Sequence, residues 1–141
     1  MRSESPAIAR VLETALYVDD LDAAVTFYRD ILGLRVLDAG TRLVSLDAGQ
    51  ATVLLLFRRG ATVSGLDTPG GRIPPHDGSG PVHLAFAIAA DALAAWELRF
   101  QERGVAIESR VQWNRGGQSI YIRDPAGHSV ELATPGTWAI Y

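Results

Sequence analysis

Three ionisable side chains, Glu13, His83 and Glu131, each stand alone among apolar and small residues. Their settings are Glu13-Thr14-Ala15-Leu16-Tyr17-Val18, His83-Leu84-Ala85-Phe86-Ala87-Ile88 and Ser129-Val130-Glu131-Leu132-Ala133. All three alternate with a period of two, the pattern of a β-strand. Side chains two positions apart in a strand share a face. Glu13 therefore shares its face with Ala15 and Tyr17, His83 with Ala85 and Ala87, and Glu131 with Ser129 and Ala133. The opposite faces carry Leu12, Leu16 and Val18; Val82, Leu84, Phe86 and Ile88; and Val130 and Leu132, and these are the expected core. Small neighbours leave room, and on one curved sheet that room becomes a cavity. Two carboxylates converging there would repel, and each would cost several kcal/mol to bury unpaired. A divalent cation answers both problems, taking two carboxylates and one imidazole and leaving positions for water or substrate. Glu13, His83 and Glu131 are accordingly the expected metal ligands, and Mn, Fe(II), Ni, Zn or Mg suits such a set.

The chemistry such a centre supports follows from its open positions. A small substrate with two adjacent oxygens can chelate the ion, which polarises a carbonyl and stabilises a developing enolate or oxyanion. A glutamate released from the ion can take a proton, so Glu13 and Glu131 are candidate bases. Tyr121 alternates with Ser119 and Arg123 toward the Glu131 face and is a candidate donor to substrate. Phe57 and Trp113 are candidate pocket walls, and Arg115 is a candidate partner for an anionic substrate. His76 becomes a candidate acid or base if its loop folds over the site, whereas His128, beside a turn glycine, is expected to be exposed.

The elements that would position these groups occur twice. After the Glu13 strand, Leu21, Ala24, Val25, Tyr28 and Leu32 form one helical stripe, with Asp19 or Asp20 as N-cap and Gly33 as the stop. After the His83 strand, Leu93, Trp96 and Phe100 form another, with Asp91 as cap and Gly104 as the stop. Further strands are expected at 34–37, 42–46 and 52–57 in the first half, and at 105–109, 119–123 and 129–133 in the second. Each half thus has the order βαβββ. The expected division is a tail over 1–9, a first module over 10–58, a Gly/Pro-rich join over 59–81, a second module over 82–134 and a tail over 135–141. The join is too long for an ordinary connection, and two readings of it stand: a passive linker or a flap over a site. Trp138 and Tyr141 in the tail are expected to anchor it by packing.

Bulk properties narrow the classes. The chain has 141 residues, enough for one domain or two small joined modules. The net charge of −3 and scattered basic residues argue against a nucleic-acid partner. Absence of cysteine excludes disulfides, thiolate–zinc sites and a cysteine nucleophile. No apolar run suits a signal peptide or a membrane span, so no membrane partner is expected and the expected location is the cytoplasm.

The stretches LETALYVDDLDAAVTFYRDILGLRV, VHLAFAI and GGQSIYIRDPAGHSVELATPG resemble the vicinal oxygen chelate superfamily, the glyoxalase, bleomycin-resistance and extradiol dioxygenase group. The likeness covers roughly residues 10 to 138. It implies an α+β fold of two βαβββ modules whose curved mixed sheet surrounds a central metal cavity. The family's ligand positions fall on Glu13, His83 and Glu131. Many relatives have histidine at the first of these, and four-ligand glyoxalases add a carboxylate from the last strand of the first module, which Thr52–Phe57 lacks. The resemblance implies a metal-dependent glyoxalase- or dioxygenase-like enzyme acting on a small molecule. The alternative is a metal-free antibiotic-sequestering protein of the bleomycin-resistance type. An open sheet edge on each module, together with the pairing common among relatives, predicts a homodimer.

Overall fold

The computed structural model describes residues 4–141; residues 1–3 of the expected N-terminal tail lie outside the described part. The first half contains β1 (Glu13–Val18), α1 (Leu21–Thr26), β2 (Arg35–Ala39), β3 (Leu43–Asp47) and β4 (Val53–Arg58). The join carries a short hairpin, β5 (Leu66–Thr68) and β6 (Gly71–Ile73). The second half contains β7 (His83–Ala87), α2 (Leu93–Glu102), β8 (Ser109–Gln112), β9 (Gln118–Arg123) and β10 (Ser129–Ala133). The two halves build matching four-stranded sheets, ordered β1-β4-β3-β2 and β7-β10-β9-β8. In each, the first and last strands of the half run parallel and the remaining neighbours are antiparallel.

Alternation decides what each sheet buries. Leu16, Val18, Leu54 and Leu56 from the first sheet and Ile120, Ile122, Val130 and Leu132 from the second are all buried in one core. Leu21, Ala24, Phe27 and Tyr28 from the first helical segment and Phe100 from α2 fill the same core. Leu12 and Val82, expected on those inner faces, are both exposed, because each precedes the first residue of its strand. Asp20 caps α1, its Oδ1 accepting from the Ala23 N–H at 3.0 Å. Beyond Thr26 the helix widens into a π-helical turn over Phe27–Ile31, closed by the Leu32 N–H on the Phe27 carbonyl at 3.2 Å. Gly33, at φ +77°, ends the segment in the left-handed region that glycine adopts without a Cβ penalty.

Four expectations need correction. Asp91 does not cap α2: a 3-10 turn over Ala90–Ala92 leads into the helix, so Asp91 lies within the helical path and Ala92 holds the cap position without a side-chain bond. The strand expected at 105–109 begins only at Ser109; Val105 and Ile107 pack on the core from an extended segment ahead of the ladder. Trp138 is exposed, and the tail is anchored instead by the Tyr141 hydroxyl, which donates to the Ile88 carbonyl at 2.9 Å. His128 is buried, at 2% exposure. The turn that carries it explains this. Asp124 Oδ1 accepts from the N–H groups of Ala126 and His128, both at 2.9 Å, which curls the turn and points the imidazole inward.

The two sheets do not merge into one. β1 and β7 are both sheet-edge strands, and no ladder joins them. The join between them is made by side chains. His128 Nδ1 accepts from the Val82 N–H at 3.0 Å, so its Nε2 carries the proton and donates to the Tyr17 carbonyl at 3.0 Å. Asp124 Oδ2 accepts from the Tyr28 hydroxyl at 2.7 Å, tying the second module to the first helical segment. Arg99 adds a third tie, donating to the carbonyls of Ile31 and Asp30 at 2.6 and 2.7 Å.

Burial, then the Asp124 charge, pushes the Tyr28 hydroxyl far above the ordinary tyrosine range. A raised folded-state value contributes stability that is present below the unfolded value of 10.0 and is lost as pH rises beyond it. Tyr28→Phe is therefore expected to cost about 1–3 kcal/mol at neutral pH. In urea melts taken between pH 7 and 11, the gap between wild type and this variant should narrow above pH ~10.

Candidate functional site

His83 and Glu131 meet on neighbouring strands. β7 and β10 are parallel with Ser129 opposite His83, so Glu131 lies one same-face step away. His83 Nε2 sits 3.2 Å from Glu131 Oε1. The pair is asymmetric in exposure, with the histidine side chain 51% exposed and the glutamate 7%. His83 Nδ1 lies 3.0 Å from the Ser129 carbonyl. A carbonyl can only accept, so Nδ1 carries the proton, and in the neutral ring Nε2 presents its lone pair to a carboxylate oxygen. Two acceptors at that distance need either a proton or a cation between them. The backbone carbonyl behind Nδ1 is the arrangement that orients a metal-binding imidazole. The donor chemistry therefore fits a divalent ion held by Nε2 and Oε1.

Glu131 is fixed from behind. Its Oε2 accepts from the Ser119 hydroxyl at 2.5 Å, and Ser119 Oγ accepts from the Trp113 indole N–H at 2.8 Å. Tyr121 is the direct cross-strand partner of Glu131 and stacks on His83 with ring centroids 6.1 Å apart. Burial, then the Glu131 charge, holds the Tyr121 hydroxyl above the usual tyrosine range, so at neutral pH it is a hydrogen-bond donor. Ser119 was noted in the sequence only as a marker of alternation. Its place two residues before Tyr121 on the Glu131 face was the signal that it belongs to the site.

Glu13 is elsewhere. It is an exposed residue at the start of β1 and lines a cavity of about 830 Å³ over the first sheet. The shared His128 ring places Tyr17 beside Val82 at the start of β7. Glu13 lies four residues further along β1, roughly 13 Å at ~3.3 Å per residue. Among the described residues, no group of three or more His, Cys, Asp or Glu side chains is arranged to hold a metal ion. The structure thus brings together two of the three expected ligands within one chain.

The remaining candidates divide between the two faces. Phe57 and His76 line the cavity with Glu13, and Trp113 stands beside Ser119 on the second sheet. His76 is half-buried and folded over the first sheet, its Nδ1 sharing a 2.5 Å hydrogen bond with the Tyr17 hydroxyl and its ring edge-on to Phe57. Tyr17 in turn stacks on Phe57 at 5.8 Å. Burial, then Asp77, raises the Tyr17 hydroxyl above its ordinary range. Gly78 packs flat on the Tyr17 ring, where a Cβ would collide. The join is therefore a cover over the first sheet, held by these contacts and by the Thr62 hydroxyl on the His76 carbonyl. Arg115 is exposed in the turn between β8 and β9. Arg42, which the sequence did not single out, lines the cavity with a buried Nε that has no hydrogen-bond partner among the described residues.

Paired four-stranded sheets of βαβββ order with an imidazole–carboxylate pair on the second define a class. The chain belongs to the Glyoxalase/Bleomycin resistance protein/Dioxygenase superfamily, whose family pattern matches residues 10–132. It is 30% identical to the glutathione transferase FosA of Serratia marcescens, over 83% of this chain and 74% of that protein. It is 29% identical to the metallothiol transferase FosB of Staphylococcus epidermidis, over 90% of this chain and 82% of that protein. A crystal structure of a lactoylglutathione lyase from Agrobacterium tumefaciens superposes with a TM-score of 0.85 at 36% identity, covering 95% of this chain and 99% of that one. These relatives are named as enzymes. No helix among the described residues is long and apolar enough to cross a membrane.

Ser119→Ala removes the donor to Glu131 Oε2 and the acceptor for Trp113. Urea denaturation should show a loss of about 1–3 kcal/mol, because a buried carboxylate oxygen and an indole N–H are both left unpaired.

Proposed function

We propose that this chain is a divalent-metal-dependent enzyme acting on a small molecule with adjacent oxygens. In this reading His83 and Glu131 of one subunit and Glu13 of a second copy hold the ion. One observation carries it: His83 Nε2 and Glu131 Oε1 face each other at 3.2 Å while Nδ1 is committed to a carbonyl. A cation there satisfies both lone pairs. The separation of Glu13 from that pair supports a site completed across a two-fold axis, in which the first sheet of one copy covers the second sheet of the other. The relatives named as transferases and a lyase support the enzymatic reading.

When bound, the ion supplies Lewis acidity to a chelated substrate oxygen. The chain's own residues do the rest. Tyr121, kept protonated by burial and the Glu131 charge, donates to an oxygen on the substrate. Ser119 and Trp113 hold Glu131 in one orientation. Glu13, exposed in the single chain and free of a fixed partner among the described residues, is the carboxylate best able to take a proton. Trp113 and Phe57 form apolar walls on the two faces, and Arg115 and His76 stand in the loops at their rims.

Titration calorimetry with Mn(II), Ni(II) and Zn(II) tests the ligand set. Wild type should bind one of these ions stoichiometrically, and a hundredfold excess over the dissociation constant should add about 2.7 kcal/mol of stability. Glu13→Gln and His83→Ala should each lose binding alone. Co-refolding equal amounts of the two variants should restore about a quarter of the wild-type stoichiometry, because half of the dimers are mixed and each mixed dimer contains one intact site of two. No recovery would place all ligands in one chain; no binding by wild type of any of these ions would remove the metal reading.

A further inference from the structure

The cavity over the first sheet has a composition that selects its occupant. Its walls are Tyr17, Leu43, Leu55, Phe57, Leu66 and Ile73. At about 830 Å³ it lies within the range of small-molecule sites. Leu66 and Ile73 are direct cross-strand partners in the β5–β6 hairpin, and both remain exposed. A two-stranded hairpin is marginal by itself, and these two apolar side chains are available to gain burial against a guest. Against this apolar lining stands the Arg42 guanidinium, whose buried Nε has no hydrogen-bond partner among the described residues. Glu13 and Asp38 also line the cavity. A guest in the cavity can bring an acceptor oxygen to the guanidinium that lines it.

We propose that this cavity binds the flat, apolar body of the substrate, between Phe57 and the β5–β6 hairpin, and that Arg42 receives an acceptor oxygen carried on that body. The assignment rests on the metal-enzyme reading for its link to catalysis, since Glu13 stands in the same cavity, but the cavity itself needs no ion to bind its guest. It separates this chain's substrate from small hydrophilic phosphonates, which would leave the apolar walls and roof unfilled.

The test uses 2-naphthoate as probe, methylphosphonate as comparison, and chelator-treated full-length protein, so that a failed metal site and a failed cavity give different results. Calorimetry should show 2-naphthoate binding and no heat from methylphosphonate. Amide NMR shifts should concentrate in residues 66–76 and around Arg42. Arg42→Met should weaken 2-naphthoate on the order of tenfold, since a hydrogen bond to a charged group is lost. Leu55→Trp, which fills the cavity from its floor, should abolish 2-naphthoate binding while circular dichroism shows the fold retained. Absence of 2-naphthoate binding would overturn the proposal, as would binding that ignores both substitutions or methylphosphonate binding as tightly. Loss of metal binding with 2-naphthoate binding retained would sink the metal reading alone.

Discussion

The molecule is organised around two sheet edges that do not pair with each other. β1 and β7 each have a ladder on one side only. Exposed edges invite pairing with other chains, and proteins cover or blunt them. Here a single buried imidazole spans the gap, taking the Val82 N–H on one nitrogen and giving its proton to the Tyr17 carbonyl from the other. Asp124 fixes the loop that carries it and also receives the Tyr28 hydroxyl. The relative placement of the two sheets, and so the distance between Glu13 and His83, depends on this polar joint. A continuous ladder would have demanded a fixed register; side-chain ties set the position with a handful of directional bonds.

On the second sheet, orientation is built inward from the backbone. The Ser129 carbonyl fixes the imidazole of His83, and Trp113 acts through Ser119 on Glu131. Nothing in this arrangement requires the first sheet, so the His83–Glu131 pair is held entirely by the second. The first sheet is organised differently, with an aromatic cluster of Tyr17, Phe57 and His76 beneath a cover drawn from the join. One face is polar and convergent, the other apolar and roomy, and the family fold supplies both.

Much of this was legible in the residues. The βαβββ duplication follows from period-two and helical stripes, and the last strand, Ser129–Ala133, falls where alternation put it. Face logic placed His83 and Glu131 together; it also placed Glu13 in one cavity with them, whereas Glu13 lines a cavity over the first sheet without either. What escaped depends on tertiary contact. His128 looked exposed because a turn neighbour usually is; the Asp124 side chain reverses that by bonding two backbone N–H groups. Arg42 carried no motif, and what marks it is a buried Nε without a hydrogen-bond partner among the described residues, which a sequence cannot display. The third ligand position was read from equivalent places in two halves, and equivalence in a repeat does not dictate proximity within one copy.

The widened turn at Phe27–Ile31 has a consequence for how this fold tolerates change in length. It accommodates one more residue than a regular helix of the same rise. Deleting a residue from the regular turns of α1 ahead of it, which hold no such surplus, would rotate everything downstream by about 100°. Tyr28 would swing off Asp124, and Gly33 would no longer stand where the chain must reverse. The hairpin in the join has no such phase to keep. Insertions and deletions should thus be absorbed in the cover and refused by the first helix, leaving the joint between the halves undisturbed.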